Sequence, residues 1–201
     1  MPASCSHCSA DSGSRNYGAG VVRLRRSSRR RNRRCRLSDA LRLRDFRPAD
    51  APQVNRLAVA AFEQFKTHYS DWPAMAASIG RMATLTEIGE IIVAERDDQI
   101  IGAVTYVPPG GPNPSCFDPA WPIVRMLVVD PDHRGLGAGR ALTEECISRA
   151  RRDGSPVIAL HTSPFMTVAL AMYLRMGFEL LRDEPPIFGA PSAVCLKRLS
   201  A

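Results

Sequence analysis

Val128-Val129-Asp130-Pro131-Asp132-His133-Arg134-Gly135-Leu136-Gly137-Ala138-Gly139-Arg140 joins an apolar strand to an amphipathic helix through three glycines in five positions. The strand covers Ile123 to Val129. The helix extends to about Arg152 and is stopped by Gly154, with Ala138, Ala141, Leu142, Cys146 and Ala150 as its apolar face. Backbone N–H groups in the first turn of a helix are unpaired and carry partial positive charge, and glycines there let an anion approach closely. Arg134 to Arg140 is therefore an expected anion site. Arg149, Arg151 and Arg152 sit where the helix dipole is negative.

Two phosphate-binding patterns fail. A P-loop needs Gly-Lys followed by Ser or Thr, whereas the only lysines are Lys66 and Lys197. A G-x-G-x-x-G fingerprint counted from Gly135 ends on Arg140, and counted from Gly137 it ends on Leu142. The segment instead resembles the R-x-x-G-x-G/A signature of the GCN5-related N-acetyltransferase family, including the V-x-P of Val129-Asp130-Pro131. That resemblance implies an α/β (α+β) acyl-CoA N-acyltransferase fold, with a mixed, mostly antiparallel sheet flanked by helices. It also implies acetyl-CoA (coenzyme A) as acyl donor, a primary amine as acceptor, and no metal. In such proteins the pyrophosphate lies on the turn, here Arg134, Gly135, Leu136, Gly137, Ala138, Gly139 and Arg140. The pantetheine arm pairs with the end of the preceding strand, here Leu127, Val128 and Val129.

Upstream, Leu41 to Phe46 alternates apolar and charged residues as a half-exposed strand does. Asp50 and Gln53 have capping-box spacing ahead of a helix carrying Val54, Leu57, Ala58, Ala61, Phe62 and Phe65. A second helix is expected from about Trp72 to Leu85. Two β-branched runs joined at Asp97-Asp98 read as a tight hairpin, and the Pro- and Gly-rich residues 108 to 122 read as a long surface loop. Downstream come a strand over Val157 to Leu160, a helix over Thr167 to Met176, and strands over Phe178 to Leu181 and Ala193 to Leu199. This order of elements is also the family's.

Tyr173-Leu174-Arg175-Met176-Gly177-Phe178 resembles the family's Y-x-x-x-G-F, which makes Tyr173 the catalytic acid by resemblance. A phenol can protonate a departing thiolate, although a half-buried tyrosine packing its helix has the same appearance. Amine attack also needs a base. Many relatives carry a glutamate two residues before the arginine matched by Arg125, and this chain has Ile123 there. Glu87, Glu90, Glu95, Asp118 and His161 remain as substitutes, each equally explained as a solvated or packed residue, and His161 is left outside the site. Met166 is a second departure, standing where relatives place an asparagine that contacts the pantetheine arm.

The chain has 201 residues and a net charge of +7, of which residues 1 to 44 contribute +10 through twelve arginines against Asp11 and Asp39, leaving −3 for the rest. Residues 1 to 40 are expected to be a disordered Arg-rich leader, and 41 to 201 an acetyltransferase domain. The leader fits a transit peptide, a polyanion-binding tail or an extension from a misplaced start codon. No apolar run reaches the roughly 20 residues of a membrane span. Six cysteines without scaffold spacing suit a reducing cytoplasm. Cys5-Ser6-His7-Cys8 is half a zinc site with no partner pair. A homodimer is left open. Two rival functions stand beside acetyl transfer: a non-catalytic acyl-CoA-binding module of the same fold, and a nucleic-acid-associated protein acetyltransferase working through the basic leader.

Overall fold

The computed structural model describes residues 40 to 112, 114 and 116 to 200, so the leader and its Cys5-Ser6-His7-Cys8 segment lie outside the described residues. Seven strands form one sheet in the order β1-β2-β3-β4-β5-β7-β6: β1 Arg42–Asp45, β2 Glu90–Arg96, β3 Gln99–Val107, β4 Ile123–Val129, β5 Val157–Thr162, β6 Glu179–Ile187 and β7 Ala190–Arg198. All neighbours are antiparallel except β4 and β5. The helices are α1 Ala51–Glu63, α2 Trp72–Ile79, α3 Ala138–Arg152 and α4 Thr167–Arg175. Among the described residues no helix is long and apolar enough to cross a membrane.

Strand alternation assigns the two faces. Ile91 and Val93 pack with Val54, Leu57, Ala58 and Ala61 of α1, whereas Ile92 and Ala94 pack with Leu142, Cys146 and Ala150 of α3. The centre of the sheet is thus buried on both sides, which accounts for the nearly unbroken apolar run of β3. Asp97 and Asp98 both take positive φ, 52° and 60°, as a two-residue turn of the primed type requires.

Several expectations are corrected. Asp50 makes no side-chain cap on α1; its carboxylate accepts from the Arg47 N–H at 2.7 Å and from the Arg44 guanidinium at 2.7 and 3.1 Å. Gln53 instead donates to the Ile100 carbonyl at 3.2 Å. The second helix ends at Ile79 with Gly80 as its C-cap, and Met82–Glu87 forms a separate 3-10 segment. Phe117 tucks inward from the supposed surface loop and is 5% exposed. The last two strands are nine residues each, joined at Phe188 and Gly189 with φ of 47° and 78°. The strands expected over Phe178 to Leu181 and Ala193 to Leu199 are thus too short, and Pro185 and Pro186 are accommodated because β6 is an edge strand whose register with β7 shifts between Glu184 and Ile187.

Charged pairs clamp the open end of the sheet. The Arg149 guanidinium, 9% exposed, is held by Asp45, Glu145 and Glu90, linking β1 and β2 to α3. Arg44, 16% exposed, bridges Asp50 and Glu95. Its hydrogen bonds hold the Asp50 and Glu95 carboxyls below their ordinary 3.8 and 4.5. Depressed folded values mean that this stabilisation is complete above about pH 4.5 and is lost as pH falls through them. Arg44→Met should cost about 2 to 4 kcal/mol at pH 7, because both acids lose their buried partner. Urea denaturation from pH 7 to pH 3 checks this: the variant's stability should fall less steeply below pH 4.5 than that of the unsubstituted chain.

Candidate active site

Parallel pairing between β4 and β5 lasts for only two residues, Ile123 with Ala159 and Val124 with Leu160. The cause lies in β4. Between Arg125 and Val128 it advances three residues while β3 advances only from Thr105 to Ala103, so one residue bulges out, and Met126 takes φ 54°. A bulge bends its strand and raises its twist, and here β4 leaves β5. No glycine marks the position, so the strand pattern gives no sign of it.

A cavity of about 820 Å³ opens where the two strands part. Residues 123 to 129 line one wall, His161, Thr162 and Ser163 another, and α4 with the turn before α3 a third. Toward β5, the backbone of Leu127, Val128 and Val129 has no strand partner. The segments picked from sequence as two halves of one site are therefore brought to one cavity.

The turn itself is open. Gly135 and Gly137 take φ of 78° and 85°, with nothing within 4 Å of where a Cβ would stand. Gly137 is the residue at the N-cap of α3, and no side chain satisfies the cap. Gly139 faces Val129, Met172 and Leu127 at 3.5 to 3.9 Å, so it too borders the cavity. The arginines flanking the turn are engaged elsewhere. Arg134 donates to Gln64 Oε1 at 2.9 Å and to the Ala61 carbonyl at 3.1 Å, closing the end of α1, and Arg140 pairs with Glu144 at 2.7 Å. What the turn offers an anion is backbone N–H and the α3 dipole rather than free cationic side chains. Ala138 is buried, and Leu136 is 47% exposed.

Tyr173 lies on α4, buried, with its ring edge-on to Phe178 at 5.7 Å between centroids, and it lines the cavity. Burial drives its hydroxyl well above the ordinary value of 10, with Cys146 and Cys195 nearby adding to the effect. Met166 caps the start of α4 and borders the same cavity, as does Ile123.

The substitutes for the missing glutamate separate cleanly. Glu95 is committed to Arg42 and Arg44 and Glu90 to Arg149 and Arg152. Glu87 lines a smaller cavity beside α2, and Asp118 caps the Ala120 N–H at 2.8 Å. His161 alone of the five lines the main cavity. Its Nε2 is 3.2 Å from Cys116 Sγ and its ring is 4.9 Å from that of Phe117. Burial pushes the imidazole below 6.5; Glu184 opposes this, while Arg125 and Arg182 reinforce it. Sequence gave only a lone histidine on an apolar strand. The parting of β4 and β5 turns that strand end into a cavity wall.

Residues 52–178 match the family model described as Acetyltransferase (GNAT) family. The mycothiol acetyltransferase of Cellulomonas flavigena is 38% identical over 108 residues, half of this chain and 31% of the relative. That of Geodermatophilus obscurus is 28% identical over 72% of this chain and 46% of the relative. The chain thus spans less than half the length of these curated relatives. Among solved structures, a GCN5-related N-acetyltransferase from Rhodopseudomonas palustris superposes with a TM-score of 0.64 at 20% identity, covering 81% of this chain and 98% of the other. A GNAT family acetyltransferase from Elizabethkingia anophelis, solved with acetyl-CoA bound, gives 0.59 at 15% identity over 81% and 100%. With the family model covering more than half of it, the chain belongs to the GNAT acetyltransferase family.

Proposed function

We propose that this protein transfers the acetyl group of acetyl-CoA to a primary amine. The observation that carries this is the continuity of one cavity, from the unpaired backbone of β4 to the open first turn of α3. An extended polar chain ending in a pyrophosphate fits that surface: Leu127, Val128 and Val129 would pair with the arm, and residues 134 to 140 would receive the phosphates. The relatives named as acetyltransferases support the same reaction. Free thiols at Cys116, Cys146 and Cys195 suit the cytoplasm.

Acetyl-CoA, when bound, supplies an activated thioester carbonyl. The chain's own residues supply position and two proton sites. His161, neutral above its lowered value, offers an unprotonated nitrogen to an entering ammonium. Tyr173 holds a proton on Oη at the α4 wall of the same cavity, ready for a leaving thiolate. The burial that raises this phenol also raises the neighbouring Cys146 and Cys195 thiols, so a thiolate released there is a stronger proton acceptor than in water. Holding amine and thioester together accounts for much of the acceleration. A non-catalytic binding module, attractive on Ile123 alone, does not require a neutral imidazole in the cavity.

Acetyl-CoA at a hundred times its Kd should raise the protein's stability by about 2.7 kcal/mol. Gly139→Ala, whose Cβ meets only ordinary contacts, should fold at least as well yet show a smaller thermal shift, because the methyl group narrows the approach to the turn. Tyr173→Phe should lower kcat by about 10²- to 10⁴-fold with little change in the amine KM; unchanged turnover rejects the acid role. His161→Gln should remove the acid limb of the pH–rate profile, which in the unsubstituted enzyme rises to a plateau with a midpoint below 6.5. An acid limb that persists in the variant assigns the base elsewhere.

A further inference from the structure

Arg125 lines the cavity but touches neither proton site of the proposed acetyl transfer. It stands on β4 immediately before the bulged Met126, half-buried, lining both the main cavity and the smaller one beside α2. Among the described residues its guanidinium makes no hydrogen bond and no ion pair. The other sequestered guanidiniums are all held by acids: Arg44 by Asp50 and Glu95, and Arg149 by Asp45, Glu90 and Glu145. Arg182, which is more exposed, is held by Glu184 at 2.6 Å. Glu87, the acid sharing the smaller cavity with Arg125, forms no ion pair with it. No Asp or Glu among the described residues lines the main cavity. Sequestering an unpaired cation carries a desolvation cost that an anionic partner relieves.

We propose that Arg125 anchors a carboxylate of the acceptor, so that the substrate is a small amine bearing an acid group and an apolar body, as apolar amino acids do. Three features beyond the free guanidinium support this. A guanidinium presents a planar fork of donors that matches a carboxylate in a bidentate pair. Phe62, Phe65, Tyr69, Met75, Ile79 and Phe188 line the same cavity and offer apolar surface for the rest of the molecule. Arg125 also lies close enough to His161 for its charge to help keep the imidazole neutral, which places the acid-binding end near the base. The phosphate-binding end is elsewhere: Val129 is four residues on, roughly 10 Å along the strand once the bulge is allowed for, and the Gly-rich turn lies beyond it. Burial lowers the guanidinium's own proton affinity, as expected for a cation without a counter-charge.

The proposal rests on the acetyltransferase reading for the identity of the second reactant, but the anchor can be read by binding alone. Alanine, leucine, phenylalanine and tryptophan, each beside its carboxamide, are titrated calorimetrically into the full chain with coenzyme A present. At least one acid should bind about 10- to 100-fold more tightly than its amide, the range of a charge-assisted hydrogen-bonded pair. Arg125→Gln should bring acid and amide within about 3-fold, and Arg125→Lys should keep part of the difference. Equal binding of acids and amides across the panel, or no binding of any acid, overturns the proposal without reference to a variant. So does a preference that survives in a cooperatively melting Arg125→Gln. Thiol release with the same compounds is scored separately. If none is released while the acid preference holds, acetyl transfer fails as the reaction and the anchor stands.

Discussion

The bulge at Met126 is the constraint on which the rest of the site depends. One extra residue between Arg125 and Val128 turns β4 away from β5 after two paired residues. A regular parallel ladder would have satisfied the backbone from Leu127 to Val129 and sealed the space beside it. The parting leaves polar backbone facing a cavity whose other walls are mostly apolar. Buried backbone groups without partners are costly, so an edge of this kind is matched to a ligand that can complete it. The positive φ of Met126 is strain of a sort that persists where surrounding structure enforces it; here α1 packs over Val128 on one face and α3 over the sheet on the other.

Much of the fold was legible because its signals were local. The Asp97-Asp98 hairpin, the apolar stripes of α1 and α3, and the glycines of the turn each declare themselves within a few residues. What escaped was set by partners distant in sequence. Asp50 had the spacing of a cap, but Arg44 and the Arg47 N–H compete for the same carboxylate and win. The strand expected over Phe178 to Leu181 runs on to Ile187 through Pro185 and Pro186, which an edge strand with a shifted register between Glu184 and Ile187 accommodates. Phe117 reads as part of a solvated loop until His161 supplies a ring to pack against.

The candidate site divides along the same line. Its anion-binding half depends on backbone conformation at consecutive residues, and glycine spacing reports that directly. Its chemical half depends on which side chains meet across the cavity. Ile123 removes the glutamate expected from relatives, and no motif announces a replacement, because His161 reaches the cavity from β5, across the parting of the strands.

Low polarity in the cavity links the two proton sites to the charge around them. The same desolvation that keeps His161 unprotonated keeps Tyr173 protonated, so one environment sets a base and an acid in opposite states at neutral pH. An entering ammonium meets no carboxylate among the described residues of the lining walls and does meet the positive charge of Arg125. For a simple amine that field favours loss of the proton but opposes binding. For an amine that carries its own carboxylate, the acid end neutralises Arg125 and removes the repulsion felt by the amine end. The cation at the bend of β4 then favours capture of the substrate, while burial, with Arg182 adding to it, keeps the imidazole free to accept its proton.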